Sequence, residues 1–206
     1  KNPLRRVVVY DFLNNGPIYV QPKLATTTTQ KLRGFYKSSA ATLSQGVVKA
    51  KLAYIGGSSQ PNPNEKVFFN DNGTDNLIAA NPFMGATASE RSWLTAPPYD
   101  VSAYMNPKNN SGDGYGETAT TTINHTPGSG GYDCLTLGAV VFSTAIADID
   151  QDGLPDGLEA GPDAYSSLPL KDPDGTLLPD LAGMGATTAV TTLSPLSPQK
   201  DMFVEV

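Results

Sequence analysis

Five carboxylates fall within the twelve residues 148–159, which read DIDQDGLPDGLE. A hard cation such as Ca²⁺ takes oxygen ligands from positions 1, 3, 5, 7, 9 and 12 of a twelve-residue loop, with glycine at position 6 for the sharp turn. Asp148, Asp150 and Asp152 stand at the first three of these positions, and Gly153 stands at the turn. Leu154 offers its backbone carbonyl at position 7, Asp156 falls at 9 and Glu159 at 12. Like charges this close repel one another unless a cation lies between them. The competing reading is a solvated acidic loop; a glycine and a terminal Glu that both fall in register favour Ca²⁺. A second cluster, Asp172, Asp174 and Asp180 in DPDGTLLPD, has two more residues between glycine and aspartate than the first loop has. It could hold a second ion, share ligands with the first, or be a solvated turn.

Other chemistry is thinly represented. The chain has one His and one Cys, so an intrachain disulfide, a zinc site of several His or Cys, and catalysis needing two histidines are all excluded. His125 lies in INHTPG, which reads as a turn with the imidazole at the surface. No G-x-S-x-G is present, so a hydrolase nucleophile elbow has no support. Cys134 reads as a small buried hydrophobe inside a strand. Trp93, with Tyr99 and Tyr104, could form an aromatic platform for a sugar, although aromatics in a β domain more often fill the core. Asn72, Asn109 and Asn124 head N-x-[ST] sequons in or beside turns, and Thr26 to Thr29 could carry O-glycans. These observations predict no catalytic residues and no enzyme.

The charge is unevenly spread. Nine acidic residues and one lysine, Lys171, lie between Asp148 and Asp180, while the whole chain of 206 residues carries −6. An acidic segment therefore follows a nearly neutral body, which predicts a division into 1–147 and 148–206. A net negative chain lacks the basic face that nucleic acid requires. No apolar run approaches the ~20 residues of a membrane span, and Asp11 cuts short the apolar run VVVY that follows Arg6, so no leader is read there.

The positioning elements read as strands. Gly and Pro number 20 and 17, and charged residues make up only 17%, a composition of short strands and turns rather than helices. Strands are predicted at 5–13, 18–24, 47–55, 66–70, 99–105, 118–124, 134–146 and 202–206. In 47–55, Val48, Ala50, Leu52 and Tyr54 share one face and Lys49 and Lys51 the other. The segment 134–146 is apolar on both faces and so central, whereas 118–124, β-branched and polar, reads as exposed. Residues 182–198 read as an irregular connector. The pattern predicts an all-β fold, an antiparallel, jelly-roll-like β-sandwich. A strand precedes the acidic loop and Gly161-Pro162 follows it, so the loop is EF-hand-like without flanking helices, and the C-terminal segment is irregular.

The loop resembles the calcium loops of dockerins and thrombospondin type 3 repeats, which implies calcium in a structural role and an extracellular setting. More widely, DCLTLGAVVFSTAIADIDQDGLPDGLE, LPDLAGMGA and KDMFVEV resemble a region of large secreted bacterial proteins, in which a β-sandwich precedes a calcium loop. The strands VKAKLAYIGG, EKVFFN and YDVSAYM are similar too. Some of those proteins continue into a zinc-metallopeptidase-like domain; this chain has no HExxH, so the resemblance implies fold, location and calcium but no peptidase activity.

Two functions follow as expectations. The first is a non-enzymatic, calcium-binding structural module outside the bacterial cell. RRVVVYDFL at the start is β-prone and, if donated to a neighbouring subunit, would link copies into a filament. The alternative is a carbohydrate-binding accessory module of a larger secreted hydrolase or metallopeptidase-like protein. Self-association or glycans are the expected partners.

Overall fold

The computed structural model describes residues 4–11, 18–20, 26–36, 50–57, 65–70, 73–80, 82–83, 94–95, 98–105, 114–126, 135–148, 153–160 and 169–181. Its strands are β1 (Arg5–Asp11), β2 (Ile18–Val20), β3 (Thr26–Leu32), β4 (Ala50–Gly57), β5 (Glu65–Phe69), β6 (Asn76–Ala80), β7 (Leu94–Thr95), β8 (Tyr99–Asp100), β9 (Ala119–His125) and β10 (Leu135–Ala145). Two antiparallel sheets form the sandwich. In the six-stranded sheet β10 is central, with β1 and β2 along one edge and β4 along the other; β7 and β8 then pair with the far side of β4. The four-stranded sheet runs β3-β9-β5-β6. Among the described residues only β5 and β6 pair as chain neighbours.

Side-chain alternation builds the layers. Ala50, Leu52 and Tyr54 of β4 are buried while Lys51 is exposed, as the period of two requires. β10 buries Leu135 and Leu137, shifts register between Leu137 and Ala139 against β4, and then buries Val140 and Phe142. That irregularity lets one strand keep its apolar side inward over its whole length. Phe142 is the meeting point of the layers: its ring lies 6.0 Å from Phe69 of β5, stacked, and 5.0 Å from Phe35, edge-on. Tyr54 reaches across from β4 to the hydroxyl of Thr121 in β9, and Thr121 donates to the Phe68 carbonyl at 3.1 Å. Burial pushes the Tyr54 hydroxyl well above its usual range.

Several expectations change here. Residues 99–105 are not one strand: β8 ends at Asp100, whose carboxylate accepts the Ser102 N–H at 2.9 Å and starts a 3₁₀ turn, Ser102–Tyr104. β9 is not exposed but interior, paired with β3 and β5, and buries Ala119, Thr121, Ile123 and His125. The Thr run at 26–29 is part of β3, with Thr29 and Thr122 hydroxyls 3.0 Å apart across the pair. Of the expected strand 18–24, β2 covers Ile18–Val20 and the remaining positions lie outside the described residues. β6 and β7 were not expected. The predicted strand 202–206 and the connector 182–198 lie outside the described residues.

Truncating Phe142 to Ala removes the ring that both sheets share. The expected loss is about 3–5 kcal/mol, which lowers the melting temperature by about 6–20 °C for a chain of this size. A calorimetric or circular-dichroism melt checks it.

Candidate calcium-binding segment

The acidic loop hangs from the end of the central strand. The Ile146 N–H continues the ladder to the Leu4 carbonyl at 3.1 Å, and Ala147 is buried. Its carbonyl then accepts the Asp156 N–H at 2.9 Å, so the chain returns to the strand end at the far side of the loop. A single helical turn, α1 (Asp156–Glu159), begins there. Pro155 sits at its N-cap, and its carbonyl accepts the Leu158 and Glu159 amides at 2.8 and 3.2 Å. No helix enters the loop, as expected; the short helix that closes it, covering loop positions 9 to 12, was not expected.

This geometry places the sequence-predicted ligands as follows. Asp148 stands at the loop entrance, where its Oδ2 accepts the Gly153 N–H at 3.3 Å. Gly153 has φ +102°, in the region that glycine alone enters freely, so the position-6 turn exists. Leu154 follows it, half-buried. Asp156 and Glu159 lie three residues apart on α1 and are 4% and 1% exposed. Asp148 Oδ1 is buried and accepts no hydrogen bond among the described residues. Carboxylates taken out of water need hydrogen-bond donors, a counter-charge or a metal. Asp150 and Asp152 lie outside the described residues; among the described residues no group of three His, Cys, Asp or Glu is set to hold a metal ion.

The second acidic cluster is a turn. Asp172, Pro173, Asp174 and Gly175 close through the Gly175 N–H and Asp172 carbonyl at 2.8 Å, and Asp174 accepts the Thr176 N–H at 2.8 Å. That last bond holds the Asp174 carboxyl below its usual range. Asp172 pairs with Arg6 of β1 at 2.7 Å, and Asp180 is exposed.

Sequence reasoning missed the residues that anchor this segment. Tyr36, with φ 44°, is buried, and its hydroxyl lies 2.9 Å from the Gly114 carbonyl and 2.6 Å from the Lys171 carbonyl. The same oxygen accepts the Lys171 N–H at 2.9 Å. Burial pushes the phenol up to about 12. Gly34 lies so close to Pro173 that a Cβ would fall 2.7 Å from its ring, so glycine is the residue that lets the turn dock. The paired glycines flanking Tyr115 were the available signal, since they mark a tight approach of backbone.

The remaining predicted sites scatter. His125 is not on a surface turn: it ends β9, is buried, and its Nδ1 lies 3.2 Å from Oε1 of the buried, register-paired Glu65. Tyr99 and Tyr104 pack against the core rather than forming an open platform, and burial raises the Tyr99 hydroxyl. Asn124 is exposed but sits within β9 beside Thr27 at 3.2 Å. Trp93, Cys134, Asn72 and Asn109 lie outside the described residues. No described helix is long and apolar enough to cross a membrane.

No family model and no curated protein matches this chain. Among solved structures, dimeric latent PorU from Porphyromonas gingivalis aligns with a TM-score of 0.37 and 13% identity, over 72% of this chain and 13% of its own. A VP2 subviral particle of infectious bursal disease virus aligns at 0.40 with 9% identity, over 70% of this chain. The Gt strain of that virus aligns at 0.42 with 11% identity, over 73%. This chain spans 34% of each of those two viral chains. Likenesses this shallow assign no function.

Replacing Tyr36 by Phe removes the hydroxyl that reinforces the direct Lys171 N–H to Gly114 carbonyl bond of 2.7 Å. The expected cost is about 1–2 kcal/mol. Hydrogen exchange followed by mass spectrometry checks it: amides of 169–181 exchange faster, while those of β10 keep their protection.

Proposed function

We propose that this chain is a non-enzymatic structural module of an extracellular assembly, stabilised by Ca²⁺ at the loop Asp148–Glu159. The observation that carries the reading is the burial of Asp156 and Glu159 at loop positions 9 and 12, together with the buried Oδ1 of Asp148 at position 1. Oxygen-only donors suit calcium rather than a transition metal. Asp148, Asp150, Asp152, the Leu154 carbonyl, Asp156 and Glu159 would hold the ion. The cation would place a positive charge among these buried carboxylates. Asp172, Asp174 and Asp180 are left out of this set, because Arg6 and the Thr176 amide already engage the first two.

Binding to the folded state alone stabilises it by RT ln(1 + [Ca²⁺]/Kd), about 2.7 kcal/mol at a hundred times Kd. The role proposed for the ion is to fix the return from β10 into α1. The extracellular setting goes with this reading, since extracellular modules bind calcium weakly and meet it at high concentration. Self-association is proposed through β1. That strand pairs with its own β10, so donation to a neighbour would proceed by exchange of β1 between copies. A sugar-binding platform has no comparable support.

The melting temperature of the chelator-treated chain rises on adding millimolar Ca²⁺, and Mg²⁺ does not replace it. Glu159→Gln and Asp148→Asn each weaken binding roughly tenfold or more in isothermal calorimetry. A melting curve indifferent to calcium ends the calcium reading. Negative-stain microscopy tests the assembly: ordered fibres in calcium that fray in chelator support it, and single particles under both conditions overturn the filament.

A further inference from the structure

The outer edge of β1 is open among the described residues, since β1 pairs only with β10. The Leu4 carbonyl accepts the Ile146 N–H, so the backbone of Leu4 turns toward β10. Strand alternation turns Arg6, Val8 and Tyr10 the same way. Arg5, Val7, Val9 and Asp11 therefore aim their N–H and C=O groups at the open edge. Their side chains share the outer face of the sheet, where Val7 and Val9 are 56% and 59% exposed. Val9 lies in line with Val141 of β10 and Ala53 of β4, an apolar strip across three strands, whereas Val7 lies in line with Ser143 and Lys51. Such an edge attracts another strand.

The edge is complementary to itself. Turned about a two-fold axis through Val8, it sets Arg5 of one copy, whose guanidinium bonds Ser143 of its own β10 at 3.0 and 3.2 Å, opposite Asp11 of the other, and Val7 opposite Val9. All four of these positions carry edge-facing backbone groups, so each facing pair is hydrogen-bonded. Sliding the register by two residues either way puts a charged residue opposite a valine. We propose that a second copy of this chain docks here, β1 against β1, antiparallel, with Val8 on the axis and no exchange of strands. The joint is isologous and closes at two copies, so a filament would need a further contact. It rests on the self-association through β1 proposed above, puts edge-to-edge pairing in place of strand exchange, and does not depend on calcium.

Charge reversal tests it, because the axis makes two defective variants complementary. Arg5→Asp alone sets carboxylate against carboxylate, and Asp11→Arg alone sets guanidinium against guanidinium. Each is expected to weaken the dimer roughly tenfold or more in sedimentation analysis, since opposed like charges destabilise a strand pair. An equimolar mixture of the two variants restores opposite charges at both ends and recovers the wild-type dimer as a heterodimer. The double variant in one chain recovers it too. Near-ultraviolet circular dichroism confirms that each variant keeps the wild-type fold. The measurements are made in calcium and in chelator, so failure of the calcium site leaves this result readable. A wild-type chain that stays monomeric at high micromolar concentration overturns the proposal. So does a dimer indifferent to either reversal, or a mixture that fails to recover, as exchange of β1 onto a neighbour's β10 would give.

Discussion

A long strand that is apolar on both sides must find hydrogen-bond partners along both edges and cover for its inner face. β10 obtains these from residues that precede it by far in the chain: β1 and β2 on one edge, β4 on the other, and Phe69 of the second sheet over its central ring, Phe142. Loss of that ring would leave the sheets facing each other across a void. The acidic loop depends on the same strand, because just past its end the Ala147 carbonyl accepts the N–H of Asp156, the first residue of α1.

The parts of the fold legible in the sequence are those whose burial is written locally. Ala50, Leu52 and Tyr54 alternate with lysine, and β10 is apolar throughout, so both strands were readable. β9 was misjudged because its polar inward residues meet distant partners: Thr121 meets Tyr54 and a backbone carbonyl, and Nδ1 of His125 meets Glu65. Nothing near them in sequence announces those partners. β3 is a run of threonines with no apolar alternation, and its strand character comes from pairing with β9. At 99–105 a local competitor won, since the Asp100 side chain offered the Ser102 amide a turn in place of a ladder.

The acidic region shows the same division. Its first loop follows a spacing rule, and the glycine turn and the two buried carboxylates of α1 fall where the rule puts them. The second cluster looked similar in composition but is held as a turn, docked by Tyr36, Gly34 and Arg6. These anchors lie more than a hundred residues from the turn, so only the tertiary structure couples them. Acidic composition alone therefore does not reveal how such a segment is held.

The pairing of β1 with β10 also sets a schedule during synthesis. Ala145, the partner of Arg5, is synthesised well over a hundred residues after it. At about 5–20 residues per second, β1 waits on the order of 7–30 s with its valines exposed. For that interval the nascent chain carries a sticky, unpaired strand, so a holding factor that keeps it apart from neighbouring nascent chains would govern how much of this protein reaches its folded form.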